Sequence, residues 1–129
     1  MIVVAAVIEK EDRFLVTRRQ AGVHLAGMWE FPGGKVHTDM TTGLAETHVQ
    51  ALRREIGEEL AADVAVGDLV FHTTHAYADR TVTLYFYRCR IIGTPAPQLG
   101  QEMRWVSRDE LATLEFPPAD AELIRLLAE

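Results

Sequence analysis

Cys89 is the only cysteine among 129 residues, so no internal disulfide can form and a reducing compartment is the simplest setting. Basic residues are not in excess: 13 Lys and Arg stand against 19 Asp and Glu, a net charge of −6. That balance argues against gripping a nucleic-acid polymer or an anionic membrane, since both need a basic stripe. Long hydrophobic runs are missing too. The apolar opening, Ile2 to Ile8, is far too short to cross a bilayer, and neither a basic leader nor a small-residue cleavage site accompanies it. The cytoplasm is the expected location. No repeat, low-complexity tract or linker interrupts the sequence, so one domain over residues 1–129 is expected.

What remains is ordinary globular material. Apolar residues make up 48% and charged residues 25%, enough to bury a core and too apolar for a disordered chain. Ile2 to Ile8, rich in β-branched residues, predicts a strand buried on both faces. A charged turn, Glu9 to Asp12, leads to a second strand over Arg13 to Arg19, and Gln20 to Met28 reads as a loop punctuated by Gly22 and Gly27. Ala45, Val49, Leu52, Ile56 and Leu60 recur at helical spacing and predict an amphipathic helix of about five turns, with Asp63 and Gly67 marking its exit. Leu69 to Tyr77 and Thr81 to Ile92 predict antiparallel strands joined by a tight turn. Arg104 to Val106 forms a last short strand. Ser107 and Glu110 have capping-box spacing for a short helix, and Pro118 opens a final one. Strands first, then a long helix, more strands and two more helices predict an α/β or α+β sandwich around one mixed sheet.

The segment richest in chemistry is the long helix. Glu55 and Glu59 stack one turn apart, with Glu58 beside them, at the border of the apolar stripe. Like charges at these spacings repel, and Arg54 is the obvious local relief. Such a face is either a solvated charged surface or a set of hard oxygen ligands for Mg²⁺ or Mn²⁺. In the second case the chemistry is displacement at phosphorus, with a glutamate available as general base. The turn Gly33-Gly34-Lys35, upstream, is suited to holding a phosphate chain.

In register, Glu46, Arg54, Glu55, Ile56, Glu58 and Glu59 resemble the signature of the Nudix hydrolases, G-x5-E-x7-R-E-U-x-E-E-x-G-U with U a bulky apolar residue. Arg18-Arg19, His24 to Ala26, Trp29 to Lys35, Asp79-Arg80 and Phe116 to Asp120 further resemble the MutT-like branch, the nucleotide-pool sanitisers, over nearly the whole chain. The resemblance implies a Nudix-type α/β/α sandwich. Three departures stand out. Twelve positions separate Gly34 from Glu46 where the signature has six, which places an insertion between His37 and Gly43. Ala61 stands where the signature carries glycine, and Leu99 stands where relatives often carry a loop glutamate, with Glu102 the alternative carboxylate there.

By this resemblance, Glu55, Glu58, Glu59 and the Gly34 carbonyl hold divalent ions, Mg²⁺ with Mn²⁺ as substitute. Arg54 orients the helix glutamates, and Glu46 is a structural or outer partner. Arg19, His24, Phe31, Arg80 and Asp120 match nucleotide-binding positions. Lys35 is placed either to reach a phosphate or to remain in solvent. The guanine-oxidation specialists have asparagine at position 120, whereas an ionised aspartate only accepts hydrogen bonds. Relatives preferring cytidine nucleotides also end in a Pro-Ala-Asp pattern. His48 lies on a similar face to Glu55, but imidazole rarely joins Mg²⁺ sites. His72 and His75 read as structural.

The expected activity is Mg²⁺-dependent hydrolysis of a nucleoside triphosphate to the monophosphate and pyrophosphate, with an 8-oxo-dGTP-like substrate and a role in DNA repair through nucleotide-pool sanitation. CTP or a modified dCTP is the alternative substrate. A non-catalytic Nudix-like nucleotide-binding module is the competing class, and such modules typically lose the glutamates kept here. A monomer or weak dimer is expected.

Overall fold

The apolar opening forms β1 (Ile2–Lys10), buried on both faces as its composition requires. Val4, Ala6 and Ile8 enter one core and Ala5 and Val7 another, because successive strand residues face opposite sides. In the computed structural model, which describes residues 1–129, β1 joins two sets of strands. In one, β4 (Gly33–Lys35) is antiparallel to the start of β1 and β6 (Thr81–Ile92) is parallel to β1. Strand β5 (Asp63–Ala76) is antiparallel to β6. In the other set, the end of β1 turns into β2 (Arg13–Arg18), which also pairs with β3 (Trp29–Glu30) and β7 (Met103–Ser107). The turn uses Glu11 and Asp12, both at positive φ (53° and 61°), whose local twist suits a two-residue hairpin.

Helix α1 (His48–Leu60) lays Ala51, Leu52, Ile56 and Leu60 on the Val4, Ala6 and Ile8 face. Helices α2 (Arg108–Leu111) and α3 (Ala121–Ala128) bury Leu111, Leu123 and Leu127 against Val7, Phe14, Val16 and Phe86 on the opposite side. The architecture is therefore an α/β/α sandwich around a mixed sheet, as the element order predicts.

Several boundaries differ from expectation, and β3 and β4 are strands where none was expected. Helix α1 has 13 residues and starts at His48, later than the apolar periodicity suggests. Thr47 caps it: its hydroxyl accepts from the Gln50 N–H, and the Gln50 side chain accepts from the Thr47 N–H. Ala45 instead bridges to Thr38, and Val49 is exposed, so two apolar residues that continue the pattern lie outside the core. Strand β5 begins at Asp63 rather than Leu69, because an irregularity between Val66 and Phe71 lets it bend and continue. The final helix begins with a single 3-10 turn, Pro118–Asp120, before α3.

Ala61 closes α1 in the left-handed conformation (φ 52°, ψ 38°), with its N–H donating to the Gly57 carbonyl. A β-carbon makes that conformation unfavourable by roughly 1 kcal/mol. Ala61→Gly is accordingly expected to stabilise the protein by about 0.5–1 kcal/mol in chemical denaturation.

Candidate active site

Gly33-Gly34-Lys35, expected as a turn, is instead the short strand β4, drawn extended by its pairing with β1, and its two glycines are required for different reasons. A β-carbon on Gly33 would overlap the Val4 carbonyl in the neighbouring strand. On Gly34 it would come within 2.5 and 2.6 Å of the two Glu55 carboxylate oxygens. The first clash is with fixed backbone and the second with the end of a side chain. Gly33→Ala should therefore cost about 1–3 kcal/mol of stability. Gly34→Ala should leave stability within about 1 kcal/mol but displace Glu55 and lower turnover at least tenfold. Thermal melts and kinetics on both variants separate the two effects.

The close approach of β4 to α1 survives the long connection between them. Residues 37–46 fold back on themselves: Asp39 and Leu44 pair through their backbones (2.8 Å), Thr38 bridges Ala45, and the Glu46 N–H donates to the His37 carbonyl at 2.8 Å. The Asp39 carboxylate accepts from the Thr41 and Thr42 N–H groups and shapes the tip. The extra residues thus form a small protruding hairpin that returns the chain beside its starting point.

Arg54 ties the parts together. Its Nε and Nη2 each donate to a Glu46 oxygen at 2.8 Å, Nη2 also to the Lys35 carbonyl at 3.0 Å, and Nη1 to Glu55 at 2.9 Å and Glu58 at 3.3 Å. A planar guanidinium suits such a fork, and its hydrogen bonds hold the Glu46 carboxyl down at about 2. Glu46 also accepts from the His37 N–H at 2.9 Å.

The three helix glutamates occupy distinct settings. The Glu55 side chain is 14% exposed and that of Glu58 is 59% exposed. The Glu59 carboxylate accepts from the Gly33 N–H at 3.2 Å. Burial pushes the Glu59 carboxyl up to about 8, with the charges of Glu30 and Glu55 adding to the effect. Burial raises Glu55 as well, and Arg54 partly offsets it. No three acidic or histidine side chains converge on one point. Glu55 and Glu58 both accept from Arg54, and Glu59 accepts from the Gly33 N–H. The donor set does fit a hard divalent ion: three carboxylates, and a Gly34 backbone with no side chain between it and Glu55.

Beside β4 lies a cavity, whose lining includes Arg19, His24, Phe31, Lys35, Arg80 and Asp120 together with Gly33 and Gly34. Every side chain proposed from the sequence for nucleotide binding thus faces one space. Phe31 is 3% exposed and stacks on Phe116 at 5.4 Å, so it is wall and core at once. Arg80 is paired with its neighbour Asp79, Nη2 to Oδ2 at 2.9 Å. Arg19 is fixed at both ends, Nε donating to the His24 carbonyl at 2.6 Å and Nη1 to Glu30 at 2.7 Å. Its backbone also closes the 20–27 loop through Met28 and Gly27. Asp120 is 4% exposed; burial pushes its carboxyl up to about 7, Glu30 adding to the rise and Arg19 opposing it.

Glu30 is a functional candidate that the sequence reading passed over. It lines the cavity, and its charge raises the carboxyls of both Asp120 and Glu59. Its setting just before Pro32-Gly33-Gly34 was the available signal. Neither Leu99 nor Glu102 joins the glutamates: Leu99 is 55% exposed, and Glu102 pairs with Arg18 at 3.4 Å and Arg104 at 3.1 Å. Gln101 is the loop residue that reaches α1, donating to the Glu59 carbonyl at 2.9 Å. His48 turns away from the glutamates, its Nδ1 lying 2.6 Å from the Tyr87 hydroxyl.

A helix bearing three glutamates, the glycine strand β4 against it and an adjoining cavity suit a hydrolase for phosphate substrates. The chain belongs to the Nudix hydrolase family: the NUDIX domain description matches residues 3–126. It is 35% identical over 123 residues to the CTP pyrophosphohydrolase of Escherichia coli, covering 95% of this chain and 87% of that one. It is 37% identical over 130 residues to the 8-oxo-dGTP diphosphatase of Haemophilus influenzae, covering 98% and 91%. Among solved structures, the E. coli ORF135 protein superimposes with a TM-score of 0.81 at 34% identity over 96% of this chain and 85% of that one. Nudix hydrolases generally depend on a divalent metal and act on nucleotides. No helix of this protein is long and apolar enough to cross a membrane.

Proposed function

We propose that this protein, as one Nudix domain over residues 1–129, hydrolyses a nucleoside triphosphate to the monophosphate and pyrophosphate with Mg²⁺. The observation that carries the reading is the cavity lined by Arg19, Phe31, Arg80 and Asp120, which meets the glutamate helix at Gly33-Gly34. A nucleotide laid along this path puts its base near Asp120 and its phosphates near Glu55, Glu58 and Glu59. When bound, the cation neutralises phosphate charge and activates water for attack at phosphorus. Glu55, Glu58, Glu59 and the Gly34 carbonyl are the groups that would hold it. Arg54 keeps Glu55 and Glu58 on the site side of α1, and Lys35 stands at the end of β4 for a phosphate oxygen. Glu58, the most exposed of the three and held only by the 3.3 Å contact to Arg54, is the best placed of them to serve as general base. Burial pushes the Asp120 carboxyl up to about 7, so it can accept, or both donate and accept, at a base edge.

An 8-oxo-dGTP-like substrate is the leading assignment, supported by the likeness to the H. influenzae diphosphatase. CTP or a modified dCTP is the second reading, favoured by the acceptor at Asp120 and by the likeness to the E. coli CTP pyrophosphohydrolase. A cytoplasmic monomer or weak dimer completes the assignment. The test is a pyrophosphate-release screen over normal and oxidised nucleoside triphosphates with Mg²⁺ and with Mn²⁺. Turnover concentrated on one base class is the expected result. Tight nucleotide binding with no pyrophosphate released over hours would make the protein a binding module instead.

A further inference from the structure

Tyr77 lines the cavity beside Asp120. Tyr77 follows directly on β5, and its N–H donates to the Arg80 carbonyl at 2.7 Å, which closes the tight turn between them. Two imidazoles hold its ring: His24 meets it edge to face at 4.7 Å between centroids, and His75 lies at 4.6 Å. His24 belongs to the loop that Arg19 closes, so the ring is fixed from two separate parts of the chain. This clamp acts on the ring alone and takes nothing from the hydroxyl. The segment carrying Asp120 packs against β5, and Tyr77 and Asp120 line the same cavity. Burial and the Asp120 charge raise the phenol above its ordinary value, so it stays protonated and able to donate at neutral pH.

We propose that the Tyr77 hydroxyl is a second polar reader of the nucleotide base, working beside Asp120 to choose among bases. The inference rests on the proposed nucleotide reading. An ionised Asp120 only accepts hydrogen bonds, yet both candidate base edges present a donor next to an acceptor. Guanine offers N1–H and N2–H₂ beside O6, and cytosine offers N4–H₂ beside N3. With Asp120 ionised, its side supplies only an acceptor and the other base atom would be buried unsatisfied, which weakens binding. The other cationic groups are committed: Arg19 to Glu30 and the His24 carbonyl, Arg80 to Asp79. Lys35 stands at the end of β4, the phosphate end of the path. Tyr77, held beside the His24 ring and sharing the cavity with Asp120, is a neutral hydroxyl donor placed to complete the edge.

Tyr77→Phe keeps the clamped ring and removes only the hydroxyl. The experiment measures binding of CMP, dGMP and 8-oxo-dGMP by calorimetry, and kcat and KM for the matching triphosphates with Mg²⁺, in wild type, Tyr77→Phe and Tyr77→Leu. The expected result is about tenfold weaker binding of the preferred monophosphate by Tyr77→Phe, ~1.4 kcal/mol. The others should weaken less than twofold, and KM should rise in the same proportion. Equal weakening for all three bases, no change, or no preference in the wild type would overturn the proposal. So would wild-type selectivity in Tyr77→Phe with loss in Tyr77→Leu, which would make the ring the reader. Wild-type protein that releases no pyrophosphate from any triphosphate would remove the nucleotide hydrolase reading and this inference together. Released pyrophosphate with unaltered selectivity in Tyr77→Phe removes this inference alone.

Discussion

Glu59→Gln is expected to lower Mg²⁺-dependent turnover by on the order of 10²–10⁴-fold while making the metal-free protein more stable at neutral pH. The two effects have one origin. Glu59 accepts from the Gly33 N–H in a half-buried setting beside Glu30 and Glu55, and its carboxyl is pushed up to about 8 mainly by burial. A folded-state value raised above the ordinary 4.5 means the folded protein holds this proton more tightly than the unfolded chain. The stabilisation is therefore full below about 4.5 and is lost as pH rises through 8. Glutamine removes the titration, so the variant should exceed wild type in denaturant midpoint at pH 8 and converge with it at pH 4. A divalent ion should close the gap at pH 8 by stabilising wild type alone. A variant that matched wild type in both turnover and pH-dependent stability would place Glu59 outside the site.

Asp120→Asn is the second large change. At 4% exposure and a carboxyl near 7, Asp120 faces Glu30, which raises it, and Arg19, which opposes the rise, with Tyr77 sharing the cavity. The value lies above the ordinary 3.8, so its stabilising contribution is complete below about 4 and disappears as pH climbs through 7. Each tenfold change in proton affinity is ~1.4 kcal/mol, giving a ceiling of about 4 kcal/mol that asparagine would recover at pH 8. Asparagine also both donates and accepts at every pH, whereas aspartate changes from doing both to accepting only as it ionises. The wild-type KM for the preferred base should therefore bend near pH 7, and the bend should vanish in Asp120→Asn along with part of the preference among bases. Equal substrate profiles in the two proteins would remove Asp120 from base recognition.

The glutamate register could be read in advance because it is local. Arg54, Glu55, Glu58 and Glu59 lie within two turns, and 3.6-residue periodicity alone puts them on the edge of the buried stripe formed by Leu52 and Ile56. The double burial of β1 was legible for a similar reason, since its unbroken apolar run leaves no face for water. The start of α1 was not. Ala45 extends the helical pattern, but the hairpin closed by Asp39 claims it and the Thr47 cap starts the helix only at His48; Val49 is helical yet exposed, so local hydrogen bonds outrank weak apolar periodicity.

The insertion disguised a spacing that the three-dimensional structure preserves. Counting from Gly34 to Glu46 suggests a broken signature, yet Gly34 still packs on Glu55 because the added residues form a closed protrusion. Glu30 and Gln101 were hidden for another reason. Their importance comes from contacts 11 and 42 residues away, to Arg19 and to the Glu59 carbonyl, and no periodicity or short motif reports such distances. Glu102 misled in the opposite direction, being close in sequence to the loop position of interest but drawn off by Arg18 and Arg104.

The central claim is that the helix glutamates and a divalent ion cut a nucleoside triphosphate between its α- and β-phosphates. Product analysis tests it most directly, by ³¹P NMR of wild type and Glu58→Gln acting on the best triphosphate, with Mg²⁺ and with excess chelator. Wild type with Mg²⁺ should yield monophosphate and pyrophosphate in equal amounts, and both chelation and Glu58→Gln should suppress them by at least 10²-fold. Diphosphate and inorganic phosphate as products, or turnover indifferent to the chelator and to Glu58→Gln, would contradict the account.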